Sequence, residues 1–318
     1  MKERTPRWAR RALTPAVATV LVLAATAGPA AARPKSGGTS TPTGEDVSYP
    51  QCGSGLPTGR AFGIVGVNDG LANNLNPCLG PSTAYPSYRQ SELYWALSAT
   101  TGATSQPRAS LYVNTADPGN VYNGTAIADW PTTSVSSDPY GTCSTTTVST
   151  TSGPAVVGQD SPACAWQYGY DRATQDARWL TSAAAGVAAQ ESAVAVPSDP
   201  GAYPWWLDVE TANSWQSGSA GQAMNVADLQ GMVAALRAAS STASARVGIY
   251  TTSSQWSVVT GTPGASQAGS LWGSPDWVPG AVNLSGAEQN CSSGSYTGGA
   301  VTVTQWTAQS TDSDYACG

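Results

Sequence analysis

Tyr203-Pro204-Trp205-Trp206-Leu207-Asp208-Val209-Glu210-Thr211 is the stretch around which the rest of the chain is organised. Turn residues Ser198-Asp199-Pro200-Gly201 precede it, and its aromatic and aliphatic density predicts a short buried strand over 203–210. Side chains alternate along a strand, so Trp206, Asp208 and Glu210 share one face while Leu207 and Val209 take the other. Burying a carboxylate without partners is expensive, so the face with two acids must meet water, a ligand or hydrogen-bond donors. A strand end whose acids cap a neighbouring helix would satisfy the same rule. An Asp-x-Glu pair behind two tryptophans favours catalysis or ligand binding over capping.

Strands and helices alternate on both sides of this stretch. Phe62 to Val67 reads as a first strand ending at Asn68-Asp69-Gly70, Ser91 to Ser98 as a helix, and Ala109 to Asn114 as a second strand. Residues 131–161 are Ser/Thr/Pro-rich and read as a long loop insertion over one end of the domain. Helix returns over Trp166 to Ala189. A clearer one follows over Asn225 to Ala239, with Leu229, Met232, Val233 and Leu236 at helical spacing and an Asn225/Asp228 capping box. Strands are expected over Arg246–Thr251, over Trp272–Val278 (broken by Pro275), and over Val301–Trp306. This order predicts an α/β protein with a largely parallel sheet, closed into a single irregular (β/α) TIM-like barrel over residues 49–318. No G-x-G-x-x-G or P-loop follows any strand, so nucleotide binding has no support.

The N-terminus reads as an export signal. Lys2, Arg4, Arg7, Arg10 and Arg11 precede a short apolar run, Ala16 to Ala27, and Ala30-Ala31-Ala32 offers a small-residue cleavage site. Arg10-Arg11 leaves a twin-arginine route open beside the general one. Residues 33–48 read as a flexible Gly/Ser/Thr/Pro-rich tether. Without residues 1–32 the chain keeps nine basic against 19 acidic residues, a net charge of −10. Such a protein is a poor partner for nucleic acid or anionic membranes, and no later stretch is long and apolar enough to span a bilayer. A secreted monomer is expected.

Six cysteines, Cys52, Cys78, Cys143, Cys164, Cys291 and Cys317, all follow the signal, an even count that argues for three disulfides in an exported chain. Pairing sequence neighbours (52–78, 143–164, 291–317) would staple three local loops. No C-x-x-C spacing and no calcium-loop pattern is present, so neither metal nor cofactor is expected. The chain has no histidine, and its only lysine after the signal is Lys35. Ser-His-Asp, Cys-His and Schiff-base chemistry are thereby excluded, and acid-base work falls to Asp, Glu, Tyr or Cys. After Glu45 the glutamates are Glu92, Glu191, Glu210 and Glu288.

Four strand ends taken together resemble the family 25 glycoside hydrolases, lysozymes built on an irregular (β/α) barrel. Gly66-Val67-Asn68-Asp69 stands where that family has a strand ending Gly-Ile-Asp, with Asn68 in place of the Asp. Trp206-Leu207-Asp208-Val209-Glu210 matches its Leu-Asp-x-Glu strand, and Gly248-Ile249-Tyr250-Thr251 its Gly-x-Tyr-Thr strand. Gln305-Trp306 followed by Asp314-Tyr315 is similar to its closing region.

The resemblance implies hydrolysis of the glycosidic bond after N-acetylmuramic acid in peptidoglycan, with Glu210 as general acid. Asp208 would be its charged partner and orient an acetamido group. Two neighbouring carboxyls raise one another's proton affinity, one way to keep a Glu protonated near neutral pH. Asn68, Asp69, Trp206, Tyr250, Gln305, Trp306 and Asp314 are the candidate substrate-binding residues. Core packing competes for the tryptophans, an ordinary turn for Asp69 and a solvated loop acid for Asp314. A non-catalytic carbohydrate-binding barrel is the second reading and a disulfide-stapled envelope protein the third.

Overall fold

The computed structural model describes residues 42–70, 72–100, 104–118, 130–150, 152–241, 245–308 and 311–318. The signal stretch 1–32 and residues 33–41 of the tether lie outside them. The strands are β1 (Gly44–Val47), β2 (Phe62–Gly66), β3 (Ala109–Asn114), β4 (Thr145–Thr150), β5 (Gly153–Gly158), β6 (Pro204–Asp208), β7 (Arg246–Tyr250), β8 (Asp276–Ala281), β9 (Val301–Ala308) and β10 (Thr311–Ala316). Eight of them close a barrel in the order β1, β10, β9, β8, β7, β6, β3, β2. The run from β1 through β2, β3, β6, β7 and β8 to β9 is parallel. Strand β10 runs antiparallel to both β9 and β1 and joins them. The remaining pair, β4 and β5, forms a separate hairpin inside the Ser/Thr-rich insertion.

The helices are α1 (Glu92–Leu97), α2 (Pro162–Ala188), α3 (Gly218–Ala239), α4 (Ser253–Thr260), α5 (Ala265–Ala268) and α6 (Leu284–Asn290). Helix α2 starts where Ser161 accepts a hydrogen bond from the Cys164 amide with Pro162 in its first turn, a standard N-terminal signal. Leu180, Ala183 and Ala184 of α2 and Leu229, Val233 and Leu236 of α3 pack against the outer faces of the strands, with Trp205, Leu207 and Ile249. The inner faces supply a second core of Phe62, Ile64, Trp206, Trp277 and Val303. Alternation thus divides β6 as its sequence dictates, Trp205 and Leu207 outward, Trp206 inward.

Three disulfides join Cys52 to Cys78, Cys143 to Cys164 and Cys291 to Cys317. Each closes a loop of about 20 to 27 residues, the range in which a crosslink removes substantial denatured-state entropy.

Several boundaries differ from the sequence reading. Residues 44–47, assigned to the tether, form β1, which inserts between β2 and β10. It is four residues long with a single buried aliphatic residue, Val47, so no periodicity could announce it. Helix α3 begins after Ser217, seven residues ahead of the expected cap. Asn225 is therefore interior, and its amide bridges Gln216 O (2.9 Å) and Val259 O (2.8 Å). Strand β8 starts at Asp276, after Pro275, and Trp272 lies outside it, half exposed. Proline has no amide to donate, but its carbonyl still accepts from Ile249 N at 2.9 Å.

Gly248 marks the tightest point of the inner core. A Cβ there would run into the Trp206 ring and the carbonyl of Pro275. Gly248→Ala is expected to lower stability by about 2 kcal/mol through overpacking, read as a fall in the urea midpoint at unchanged slope.

Candidate active site

The mouth of the barrel, at the carboxyl ends of its parallel strands, holds a cavity of about 290 Å³. Asp46, Asp208, Glu210 and Asp312 bring four carboxyls to it, and Tyr49, Tyr112, Tyr250 and Trp277 bring aromatic rings. Ser48, Gln51, Asn114 and Gln305 also line it. The acids come from three places in the chain: β1, the end of β6 and β10.

The backbone that presents Asp208 and Glu210 is pinned from both sides. Thr115 Oγ1 donates to Asp208 O (2.6 Å), Thr251 Oγ1 to Val209 O (2.6 Å), and Trp215 Nε1 to Glu210 O (2.9 Å). Asp208 is buried, whereas Glu210, past the last hydrogen-bonded residue of β6, is partly exposed at the rim. Asn114 lies with its amide nitrogen, turned to donate, 2.9 Å from Asp208 Oδ2. Asp208 Oδ1 has no hydrogen-bond partner. Burial pushes the Asp208 carboxyl well above the usual carboxylate range, and the charges of Glu210 and then Asp46 push it further. Asp208 is the more deeply buried of the pair, so burial favours its neutral form.

Opposite stands a hydrogen-bonded chain. Tyr250 OH donates to Gln305 Oε1 (2.9 Å), and Gln305 Nε2 donates to Asp46 Oδ2 (2.9 Å). Behind Asp46, Trp277 Nε1 donates to Asp314 Oδ1 (2.9 Å). Burial raises both acids, Asp46 to about 7 with Asp312 adding to the effect, and Asp314 well above its ordinary range with Asp46 adding to the effect. The Trp277 ring closes the circle edge-on to Tyr250 (4.4 Å between centroids) and to Trp206 (5.7 Å).

Of the residues singled out from the sequence, Asp208, Glu210, Tyr250 and Gln305 meet at the cavity. The others do not line it. Asn68 is fully buried and uses its amide as a ladder pair, accepting from Asn114 N (2.8 Å) and donating to Asn114 O (3.0 Å), so it splices β2 to β3. Asp69 sits in a turn, its amide donating to Asn74 O. Trp206 is core beneath the floor. Trp306 falls on the outer face of β9 because Gln305 takes the inner one. Asp314, neither solvated nor in a loop, is wholly buried behind Asp46. Sequence reasoning missed Asp46, Asp312, Tyr112, Asn114 and Trp277. Asp46 lies in β1, a strand too short for its pattern to be read from the sequence.

No family model and no curated protein matches the chain. Among solved structures it is similar to a muramidase from Trichobolus zukalii, at 15% identity and a TM-score of 0.42, over 87% of this chain and 94% of that one.

Raised carboxyls make stability depend on pH with a definite sign. Glu92, buried where Asn76 Nδ2 donates to its Oε2 at 2.7 Å, is pushed by burial to about 7, and Asp46 likewise. A carboxyl that prefers its proton in the fold stabilises fully below its unfolded value near 4, and that contribution is lost as pH rises through the folded value. The melting temperature is therefore expected to be higher at pH 5 than at pH 8. Asp208→Asn, which cannot ionise, should flatten the difference by gaining on the wild type at pH 8; thermal melts across that range read both.

Proposed function

We propose that the protein is a secreted glycoside hydrolase that cleaves peptidoglycan or a related polysaccharide with its Asp208–Glu210 carboxyl pair. The observation that carries this reading is the pairing itself: a buried Asp208 and a partly exposed Glu210, two residues apart, in one cavity walled by tyrosine and tryptophan rings. Glycosidic cleavage needs one carboxyl to deliver a proton to the leaving oxygen and another to balance charge near the sugar. Peptidoglycan is favoured by the Leu207-Asp208-Val209-Glu210 strand end and its family resemblance. Three disulfides suit an oxidising compartment, and among the described residues no helix is long and apolar enough to cross a membrane.

The pair works with one proton. Glu210, at the rim, is the member placed to carry it toward the glycosidic oxygen of a sugar laid across the cavity, with Asp208 buried beside it. Glu210 then donates it as the bond to the anomeric carbon breaks, and a water adds its hydroxyl to that carbon while its other proton returns to the carboxyl pair. Asp208, now charged, is held by the Asn114 amide at 2.9 Å and accepts from the acetamido N–H of the sugar. Asp46 and Gln305 face the sugar from the other wall, and Tyr250 and Trp277 offer ring faces to it.

Release of reducing ends from purified peptidoglycan by the mature protein tests this. Glu210→Gln is expected to lower kcat/KM by about 10³ while staying folded, and Asp208→Asn by a comparable factor. Activity should decline as pH rises and the pair loses its shared proton. A wild type that is inactive on several wall types yet sediments with them would make the barrel a carbohydrate binder and end the hydrolase reading.

A further inference from the structure

The Ser/Thr-rich insertion contributes nothing to the acid cavity, yet it is built with care. The Cys143–Cys164 disulfide ties its two arms together, and Trp130, Val157 and Trp166 form a small core beneath it with Ala227 of α3. This fixes Tyr140 and Pro162, just outside and just inside the two half-cystines, at one wall of a second cavity of about 570 Å³. The opposite walls are the start of α3, with Ser219 and Gln222, the link from α4 to α5, with Thr262, and α5 itself, with Gln267. It shares no lining residue with the carboxylate mouth, and no charged side chain lines it.

Two features point to a ligand. Tyr140 is 43% exposed, but its ring is held in place: its hydroxyl donates to Gln230 Oε1 (2.9 Å), and Gln230 Nε2 is anchored on the carbonyls of Gln267 and Ala268 (both 3.0 Å). An orientated aromatic face left open to solvent is what a sugar ring stacks on. Thr262 has φ of 56°, in the left-handed region that a β-branched residue adopts only under compulsion. It follows Gly261, which ends α4 with φ of 71° as glycine does at no cost. A second glycine would serve the backbone at 262, so what the strain retains is the threonine side chain at the cavity wall.

We propose that this cavity is a second saccharide site, separate from the catalytic mouth, that takes an uncharged sugar residue and holds the protein on its insoluble polymer. The assignment rests on the reading that the substrate is a polysaccharide. A neutral lining of hydroxyls and amides around one open tyrosine selects hydroxyls and an acetamido group over an anion, and a cavity of this size suits one or two sugar rings. The Gln222 amide nitrogen is committed to the carbonyls of Ser257 and Val258 (3.3 and 3.1 Å), which leaves its oxygen as an acceptor toward a sugar hydroxyl or N–H.

The test uses the full mature protein carrying Glu210→Gln, so that nothing is cleaved, with purified peptidoglycan in a sedimentation assay and an uncharged N-acetylglucosamine tetramer in an NMR titration. Adding Tyr140→Ala is expected to weaken sedimentation about tenfold. Adding Thr262→Gly should weaken it too, while the melting temperature is unchanged or raised, an outcome a purely structural role for Thr262 does not produce. In the titration, amides around Tyr140 and Thr262 should shift. Sedimentation that is the same in both folded variants overturns the site, as does a titration in which only amides at the carboxylate mouth move. Shifts at Tyr140 and Thr262 with a wall stem peptide and none with the tetramer overturn the sugar assignment. The hydrolase reading is judged apart from this, on soluble glycan with Glu210 intact. Tyr140→Ala should leave that activity unchanged, and a wild type inactive there whose sedimentation still depends on Tyr140 would remove the hydrolase reading and keep the site.

Discussion

The hydrogen-bonded wall that runs from Asp46 through Gln305 to Tyr250 is the constraint on which the mouth of the barrel depends. Asp46 accepts from Gln305, and Gln305 accepts from Tyr250. Asp314, wholly buried, accepts from Trp277 Nε1, and its burial and the nearby Asp46 charge both raise its proton affinity. These contacts set the positions of side chains from β1, β7, β8, β9 and β10. Such a closed set is worth more than its separate bonds, because an unpaired buried polar group costs far more than a bond gains.

The circle also decides which carboxyls are left to do chemistry. Asp314 is sealed in, and Asp46 has most of its hydrogen-bonding capacity committed to the barrel wall. Asp208 keeps one oxygen without a donor, and Glu210 stands at the rim. The aromatic floor contributes by excluding water: Trp206 and Trp277 fill the interior below the acids, so Asp208 faces apolar rings on one side and the cavity on the other. The same physics recurs far from the mouth. Asp176 and Asp228, in α2 and α3, are buried with neither carboxylate oxygen hydrogen-bonded, and burial raises both well above their ordinary range.

The insertion and the barrel divide the labour differently. The barrel holds its mouth by closure, every strand having a neighbour on each side. The insertion has one hairpin and no ring to close, so it relies on a disulfide and a small tryptophan-rich core to hold Tyr140 against α3. A loop staple suffices there because only a short length of chain has to be held.

Read alone, the sequence determined whatever depends on neighbours a few residues away. Alternation in 203–210 put Trp205 and Leu207 on one side and Trp206 and Asp208 on the other, the absence of histidine left chemistry to carboxylates, and cysteines close in sequence paired with one another. Only the tertiary structure decided which acids meet. Asp46 and Gln305 lie 259 positions apart and hydrogen-bond because β10 joins β9 to β1, a closure that no periodicity encodes. It turned Asn68 from a ligand into a splice, Trp306 away from the mouth, Asp314 from a candidate ligand into a buried acceptor for Trp277, and a stretch read as tether into the strand that carries Asp46. Local pattern fixes the face a side chain takes; the burial that fixes its charge and its partners exists only once distant strands have closed around it.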